Sequence, residues 1–303
     1  MDARKRGWLV MAAISLAAAT GPALTQDDHP SEESLRQLQD RGRTIALYLD
    51  AVDRGAKRFS LQSGQSKPPD RTIAIVDRDG WRVIFLRDLA IDPAPTGPKK
   101  GLLLMGDTTF SPDAREVGDL RLMLPPHAAT ASAQSYARAL GEAETATAAN
   151  PAGGPPWDEA VVREKDGTFS VYRISRKQDK DETATAGAPK SVTFGRDFLV
   201  RVAASGRQVT SVELLHPTKA TPVSLDRRPA GQPTLHEHHE GDLPTPTDVA
   251  LVVRNPSLAP HLVLTPRSMF RIDAEGGVTW LGANPVPGID AAQKPGAPGG
   301  GMP

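Results

Sequence analysis

Apolar residues recur along residues 31–59 at steps of three and four, which is the period of one face of an α-helix. Ser31 stands where an N-cap is expected, and Glu32 and Glu33 follow in the first turn, where the helix dipole favours carboxylates. Residues 62–70 are rich in Gly, Ser and Pro and end the pattern. The sequence therefore predicts a long amphipathic helix, whose apolar face carries Leu35, Leu38, Ile45, Leu49, Val52 and Phe59.

Two runs of β-branched and apolar residues, 72–76 and 81–86, follow this helix. They are joined by a segment containing Asp79-Gly80, a dipeptide that favours the positive φ angles of a tight hairpin turn. A Pro-rich loop, residues 92–98, leads to a further apolar run at residues 101–105. This pattern predicts a β-hairpin and a third strand.

The second half of the chain shows the same order of elements. Thr130 is a candidate N-cap for a helix that ends at the Pro- and Gly-rich segment 150–156. Residues 159–163 and 168–174 then flank Asp166-Gly167 and predict a second hairpin. We therefore predict an α+β fold, with a mixed sheet, flanking helices and two helix-plus-hairpin halves.

The first residues have the features of an export signal. Arg4, Lys5 and Arg6 precede an apolar run over residues 8–19, which is shorter than the roughly 20 residues that a membrane-spanning helix needs. We expect a signal peptide over residues 1–25, no integral membrane segment after its removal, and a mature protein in the bacterial periplasm or the medium.

The remaining chain divides by composition. The Leu124-Pro125-Pro126 segment suggests a boundary between an N-terminal α+β region, residues 26–125, and a second domain, residues 126–283. Residues 176–190 have the composition of a solvated loop, and residues 284–303 that of a disordered tail.

Charge and cysteine content exclude several functions. The sequence has 36 Lys and Arg against 36 Asp and Glu, with no basic block and only 5% aromatic residues, which argues against nucleic-acid binding. The chain has no Cys, which removes disulfides, thiol catalysis and thiolate metal ligands together.

Candidate metal ligands occur late in the chain. His236 and His238 would face the same side of an extended strand, because side chains alternate with a period of two. Asp248 could join them if the chain turns back near Gly241 and begins a helix at Thr245. Two imidazoles and one carboxylate would hold a zinc ion and leave a coordination position open for water.

This arrangement resembles the His-x-His…Ser-x-x-Asp signature of the JAB/JAMM (MPN-domain) metallopeptidases. The resemblance covers about residues 130–282 and implies a JAB/MPN-like second half and an exported enzyme that hydrolyses amide or isopeptide bonds in a peptide or protein substrate. It implies zinc held by His236, His238 and Asp248. It also implies that Thr245 hydrogen-bonds the reacting oxygen and that Glu159 is the general base, with Glu164 and Glu213 as competing positions.

The motif departs from the family pattern, in that His239 stands where Pro is usual and Thr245 replaces Ser. Six residues rather than seven also separate His238 from Thr245. Such a degenerate motif leaves two other functions open. One is a non-catalytic periplasmic interaction module without metal, and the other is a surface metal-binding protein.

Several of these residues also have a purely structural interpretation. Thr245 and Asp248 have the spacing of a helix cap, with Pro246 at the first helical position. His236, His238 and His239 could belong to a solvent-exposed polar loop. His216, which precedes Pro217, is interpreted as an edge or turn residue rather than a fourth ligand.

Overall fold

The computed structural model describes residues 29–64, 68–77, 80–89, 101–148, 157–175, 191–216, 221–225 and 231–285. Over these residues the chain forms three α-helices and fifteen strands in mixed sheets, which confirms the predicted α+β class. The predicted signal peptide, the loops at 92–98, 150–156 and 176–190, and the tail after residue 285 lie outside the described residues.

Helix α1 (Glu32–Gln62) forms as its apolar pattern predicts. The Ser31 hydroxyl accepts a hydrogen bond from the backbone N–H of Ser34, so the predicted N-cap is present. The predicted stripe, except Val52, is buried, and Ile45 and Phe59 are almost fully enclosed. This face covers the core and packs against strands and against the last helix.

The first sheet follows α1. Its strands are β1 (Arg71–Asp77), β2 (Gly80–Leu89), β3 (Gly101–Ser111), β4 (Glu116–Val117) and β5 (Arg121–Ala128). The predicted hairpin is the antiparallel pair β1–β2, and β3 pairs antiparallel with β2, β4 and β5. The boundary predicted after residue 125 falls inside β5.

Helix α2 (Ala131–Thr147) begins at the predicted cap, where the Thr130 hydroxyl accepts from Ala133 N–H. The second predicted hairpin consists of β6 (Trp157–Arg163) and β7 (Phe169–Ser175). These strands join β9 (Phe198–Val202) and β10 (Val209–Leu214) in an antiparallel sheet of order β10-β9-β7-β6. A separate ribbon pairs β8 (Ser191–Phe194) with β11 (Thr221–Ser224).

The last sheet contains a parallel pair. Strand β12 (Thr234–Glu237) lies parallel to β13 (His261–Leu264), and helix α3 (Pro246–Arg254) lies between them in sequence. Antiparallel β14 (Ser268–Ile272) and β15 (Val278–Ala283) complete the order β12-β13-β14-β15. Helix α3 is the crossover that connects these two parallel strands, so its first turn lies near the carboxyl end of β12.

Buried apolar side chains from all three helices belong to one cluster within the described residues. The cluster includes residues on both sides of the predicted boundary, such as Phe85 and Phe169. No helix in this part of the chain combines the length and apolar character needed to cross a bilayer.

Candidate metal centre

Three imidazoles and one carboxylate converge at the carboxyl end of β12. His236 lies in β12, His238 follows that strand, Asp248 lies in the first turn of α3, and His216 follows β10. One potential ligand atom from each residue lies within 4.8 Å of the other three, and all four residues are buried. The group could hold a metal ion.

Strand β12 brings its polar side inward. Thr234, His236 and His238 are buried, whereas Leu235 is 45% exposed and Glu237 faces solvent. This reverses the usual arrangement, in which apolar side chains of a half-buried strand face the core. The period of two that was predicted to align His236 with His238 holds, but the two rings are enclosed rather than part of a solvent-exposed loop.

Asp248 forms the predicted helix cap and also lies against the imidazoles. Its Oδ2 accepts a hydrogen bond from Thr245 N–H at 2.7 Å, and the Thr245 hydroxyl accepts one from Asp248 N–H at 3.3 Å, which together form a capping box. Asp248 Oδ1 lies 3.2 Å from His236 Nε2, and Oδ2 lies 3.1 Å from His238 Nε2. The cap therefore fixes the carboxylate while it faces the imidazoles.

His216 is the member that the sequence analysis set aside as a turn residue. Its Nε2 lies 2.9 Å from Asp248 Oδ1 and 3.1 Å from His238 Nε2. Its Nδ1 lies 3.3 Å from Oδ2 of the buried Asp197. His216 is 22 positions before His238, so only the tertiary fold reveals the fourth residue.

A second layer of buried side chains supports these rings. The Phe194 ring stacks on His236 and on His261, with ring centroids 4.4 and 4.5 Å away. His261 Nε2 lies 2.7 Å from His236 Nδ1. Asp197 accepts a hydrogen bond from Ser175 N–H through Oδ1, which leaves Oδ2 toward His216. Such outer partners orient metal-ligating histidines.

The charges in the group depend strongly on one another. Burial disfavours the protonated form of His216, but the carboxylates of Asp248 and Asp197 outweigh it and raise the pKa of His216 to about 10. Burial lowers the pKa of His236, and the attraction of Asp248 only partly offsets it. Burial opposes ionisation of Asp248, yet the three imidazoles hold the pKa of this carboxyl well below its usual range. Both shifts favour a protonated His216 beside an ionised Asp248.

The spacing of the donor atoms can be compared with that of a zinc site. The closest contacts between members of the group run from 2.9 to 3.2 Å. In a tetrahedral site with zinc bonds of about 2 Å, neighbouring ligand atoms are about 3.3 Å apart. These distances would have to lengthen by about 0.1–0.4 Å to reach that value.

The other sequence-predicted site residues take different positions. Thr245 is half-buried, and its hydroxyl lies 3.4 Å from His216 Nε2, beside the group. Glu159 lies in β6, where Arg173 Nε donates to its Oε1 at 2.6 Å, and it is not a member of the group. Burial raises the pKa of Glu159, while Arg173 opposes this shift.

The two competing glutamates also differ in their surroundings. Glu164 accepts hydrogen bonds from the guanidinium of Arg41, both at 2.8 Å. Glu213 is exposed on β10. The assignment of a catalytic glutamate stays a prediction.

Comparison with known proteins gives no match to a family model, to a curated protein or to a solved structure.

Proposed function

We propose that this protein binds one zinc ion through His216, His236, His238 and Asp248, and that it does so after export from a bacterial cell. The observation that carries the proposal is the convergence of four potential donor atoms within 4.8 Å in the protein interior. Buried ionisable groups are costly unless they are paired or coordinate a metal.

The donor chemistry favours zinc among divalent ions. Imidazole nitrogen suits zinc, copper, iron and nickel, whereas calcium and magnesium prefer sites made of oxygen. The chain has no thiolate to offer, and among the described residues three nitrogens and one carboxylate form this set. Three distances within the group are close to the edge of a tetrahedral zinc site. They are His216 Nε2–Asp248 Oδ1 and His236 Nε2–His238 Nε2, both 2.9 Å, and His216 Nε2–His238 Nε2, 3.1 Å.

Four protein donors also indicate a closed site. Structural zinc sites have four protein ligands, whereas catalytic sites keep a position for water or substrate. His216, His236 and His238 are each 3% exposed, and Asp248 is fully buried. In this role the ion ties the end of β10 to β12 and to the start of α3, and its binding free energy stabilises the fold.

A second candidate is the amide or isopeptide hydrolase that the JAB/JAMM resemblance implies, acting on a peptide or protein. Here His236, His238 and Asp248 would hold the zinc, which supplies Lewis acidity toward a carbonyl and water. The observation that favours it is the surroundings of His216. Asp197 lies against its Nδ1, and the Thr245 hydroxyl lies 3.4 Å from its Nε2. Held between Asp197 and Thr245, His216 lies where a side chain could transfer a proton beside the zinc.

Metal content tests the first proposal. Purified wild-type protein should contain one zinc ion per chain by elemental analysis, and His238→Ala should lose it. His239→Ala is the matched control, because His239 is the exposed neighbour in the same segment and should retain zinc. A wild-type protein that takes up no zinc from a buffered excess would contradict the proposal and favour the interaction module.

The variant His216→Ala separates the closed site from the hydrolase. If His216 is a ligand, the variant should bind zinc at least tenfold more weakly, as loss of a donor predicts, and the wild type should not cleave peptides. If His216 is a base, the wild type should cleave a fluorogenic amide substrate, and the variant should retain zinc but lose turnover.

A further inference from the structure

Three buried groups behind His236 form a continuous chain of hydrogen bonds. The Thr234 hydroxyl donates to Leu258 O at 2.5 Å. The same hydroxyl oxygen lies 2.6 Å from His261 Nδ1, and His261 Nε2 lies 2.7 Å from His236 Nδ1. Thr234, His236 and His261 are each at most 4% exposed.

The Leu258 carbonyl at one end determines which group donates and which accepts in each of these hydrogen bonds. A carbonyl only accepts, and a hydroxyl has a single hydrogen, so Thr234 uses its proton on Leu258 and must accept from His261 Nδ1–H. A neutral imidazole that is protonated at Nδ1 has an unprotonated Nε2. His261 Nε2 therefore accepts from His236 Nδ1–H.

The hydrogen bond from His236 to His261 determines which ring nitrogen of His236 is free to meet the other ligands. With its proton on Nδ1, a neutral His236 presents a free lone pair at Nε2, the atom that lies 3.2 Å from Asp248 Oδ1 and 2.9 Å from His238 Nε2. A charged His261 would reverse this direction, but a buried imidazolium would be poorly solvated and would be repelled by a cation bound on the other side of His236.

The fold holds the relay in one plane. Thr234 and His261 are direct partners in the parallel β12–β13 register, and His236 lies two residues beyond Thr234 on the same side of β12. The two imidazole planes differ by 17°, and the Phe194 ring stacks on both of them. Stacking on a shared aromatic face keeps the rings aligned for an in-plane hydrogen bond.

We infer that Thr234 and His261 form a relay that fixes His236 as the Nδ1–H tautomer and so commits its Nε2 to the metal. This inference rests on the proposed zinc site and adds two positioning residues that do not touch the ion. Outer-shell partners of this kind contribute about 10- to 100-fold to metal affinity.

Two matched pairs of variants test the relay. Thr234→Val keeps the side-chain shape but removes the hydroxyl, whereas Thr234→Ser retains it. His261→Phe keeps the stacking on Phe194 but removes both ring nitrogens, whereas the amide of His261→Gln can still accept near the position of Nε2. We expect Thr234→Val and His261→Phe to weaken zinc binding by about 10- to 100-fold in chelator competition. Thr234→Ser and His261→Gln should recover most of that loss.

A spectroscopic measurement tests the tautomer directly. Nitrogen-15 shifts of the histidine rings should show His236 protonated at Nδ1 in the wild type, both without zinc and with zinc on Nε2. The fraction of this tautomer should fall in metal-free Thr234→Val, which also provides a readout if His261→Phe fails to fold.

The inference is overturned if His236 carries its proton on Nε2, or if Thr234→Val and His261→Phe bind zinc within twofold of the wild type. These outcomes would leave the zinc site itself intact, because the wild type would still bind one ion. Failure of the wild type to bind zinc would instead contradict the proposed function, and the metal-free ring shifts would still decide the direction of the relay.

Discussion

Gly42 in α1 packs directly against Val249 in α3, the residue that follows Asp248. A Cβ atom added at Gly42 would lie 2.4 Å from Val249 Cβ and 3.0 Å from Pro246 O. The first turn of α3 therefore depends on a glycine more than two hundred residues earlier in the chain, and α1 supports the candidate metal centre without contributing a residue to it.

The first prediction concerns this contact. Gly42→Ala should destabilise the protein by about 1–3 kcal/mol, as overpacking of a close contact does, and should weaken zinc binding by shifting α3. Urea unfolding and zinc competition measure the two effects.

Gly141 in α2 provides the control, because its added Cβ would meet only the Arg71 guanidinium at 3.7 Å or more. Gly141→Ala should leave the free energy of unfolding unchanged or raise it by up to about 1 kcal/mol, since Gly is a poorer helix former than Ala. Equal stability of Gly42→Ala and Gly141→Ala would show that the α1–α3 contact is unimportant.

The second prediction separates the cap from the ligand at the start of α3. Asp248→Asn retains an oxygen that can accept from Thr245 N–H, so the cap should largely survive, but zinc binding should be lost. Thr245→Ala should cost about 0.5–2 kcal/mol of stability and keep the ion. Elemental analysis and thermal unfolding of both variants check this, and retention of stoichiometric zinc by Asp248→Asn would exclude Asp248 as a ligand.

The third prediction concerns metal removal. A ligand that binds only the folded state stabilises it, by about 2.7 kcal/mol at a free concentration 100 times the dissociation constant. Chelation should therefore lower the melting temperature of the wild type, and added zinc should restore it. His238→Ala should melt at the same temperature with and without zinc. A wild-type melting temperature that is insensitive to chelator would argue against a folding role for the ion.

The fourth prediction concerns acid stability and Glu164, which joins α1 to the second half of the chain. Burial opposes its ionisation, but hydrogen bonds from Arg41 and Ser170 outweigh this and lower the pKa of Glu164 below 4.5. A depressed folded-state pKa contributes stability above the unfolded pKa, and that contribution is lost as pH falls through the folded value.

The stability difference between the wild type and Glu164→Gln should therefore be larger at pH 7 than at pH 3, when both are measured by urea unfolding. Comparing the two proteins at each pH removes effects that both share, including loss of metal in acid. A difference that is the same at both pH values would show that the Arg41–Glu164 pair does not act through its charge.

Local signals predicted the framework well. The caps at Ser31 and Thr130, the stripe on α1 and the two hairpins follow from side-chain periodicity and turn chemistry, which act over a few residues. Strand β5 was missed because Leu124-Pro125-Pro126 reads as a break. The Pro residues are tolerated there because β5 pairs only with β3 in the described part of the chain and so lies at a sheet edge.

Local sequence signals also predicted part of the candidate site. His236, His238 and Asp248 lie within a short segment whose alternation and helix start can be read from the sequence. Three further residues reach the site from separate strands or from the segments beside them: His216, Asp197 and His261. Their positions in the sequence form no pattern that would predict this. Sheet pairing, which brings distant segments together, decides their place.

The inward-facing polar side chains of β12 have a consequence for the stability of the protein when zinc is scarce. A strand that turns imidazoles toward the interior gains little from hydrophobic burial, so we expect its packing to depend on the proposed zinc ion that those rings would share. When zinc is scarce, we expect this region to detach first and to become accessible to proteases. The amount of intact protein would then follow the local supply of the metal.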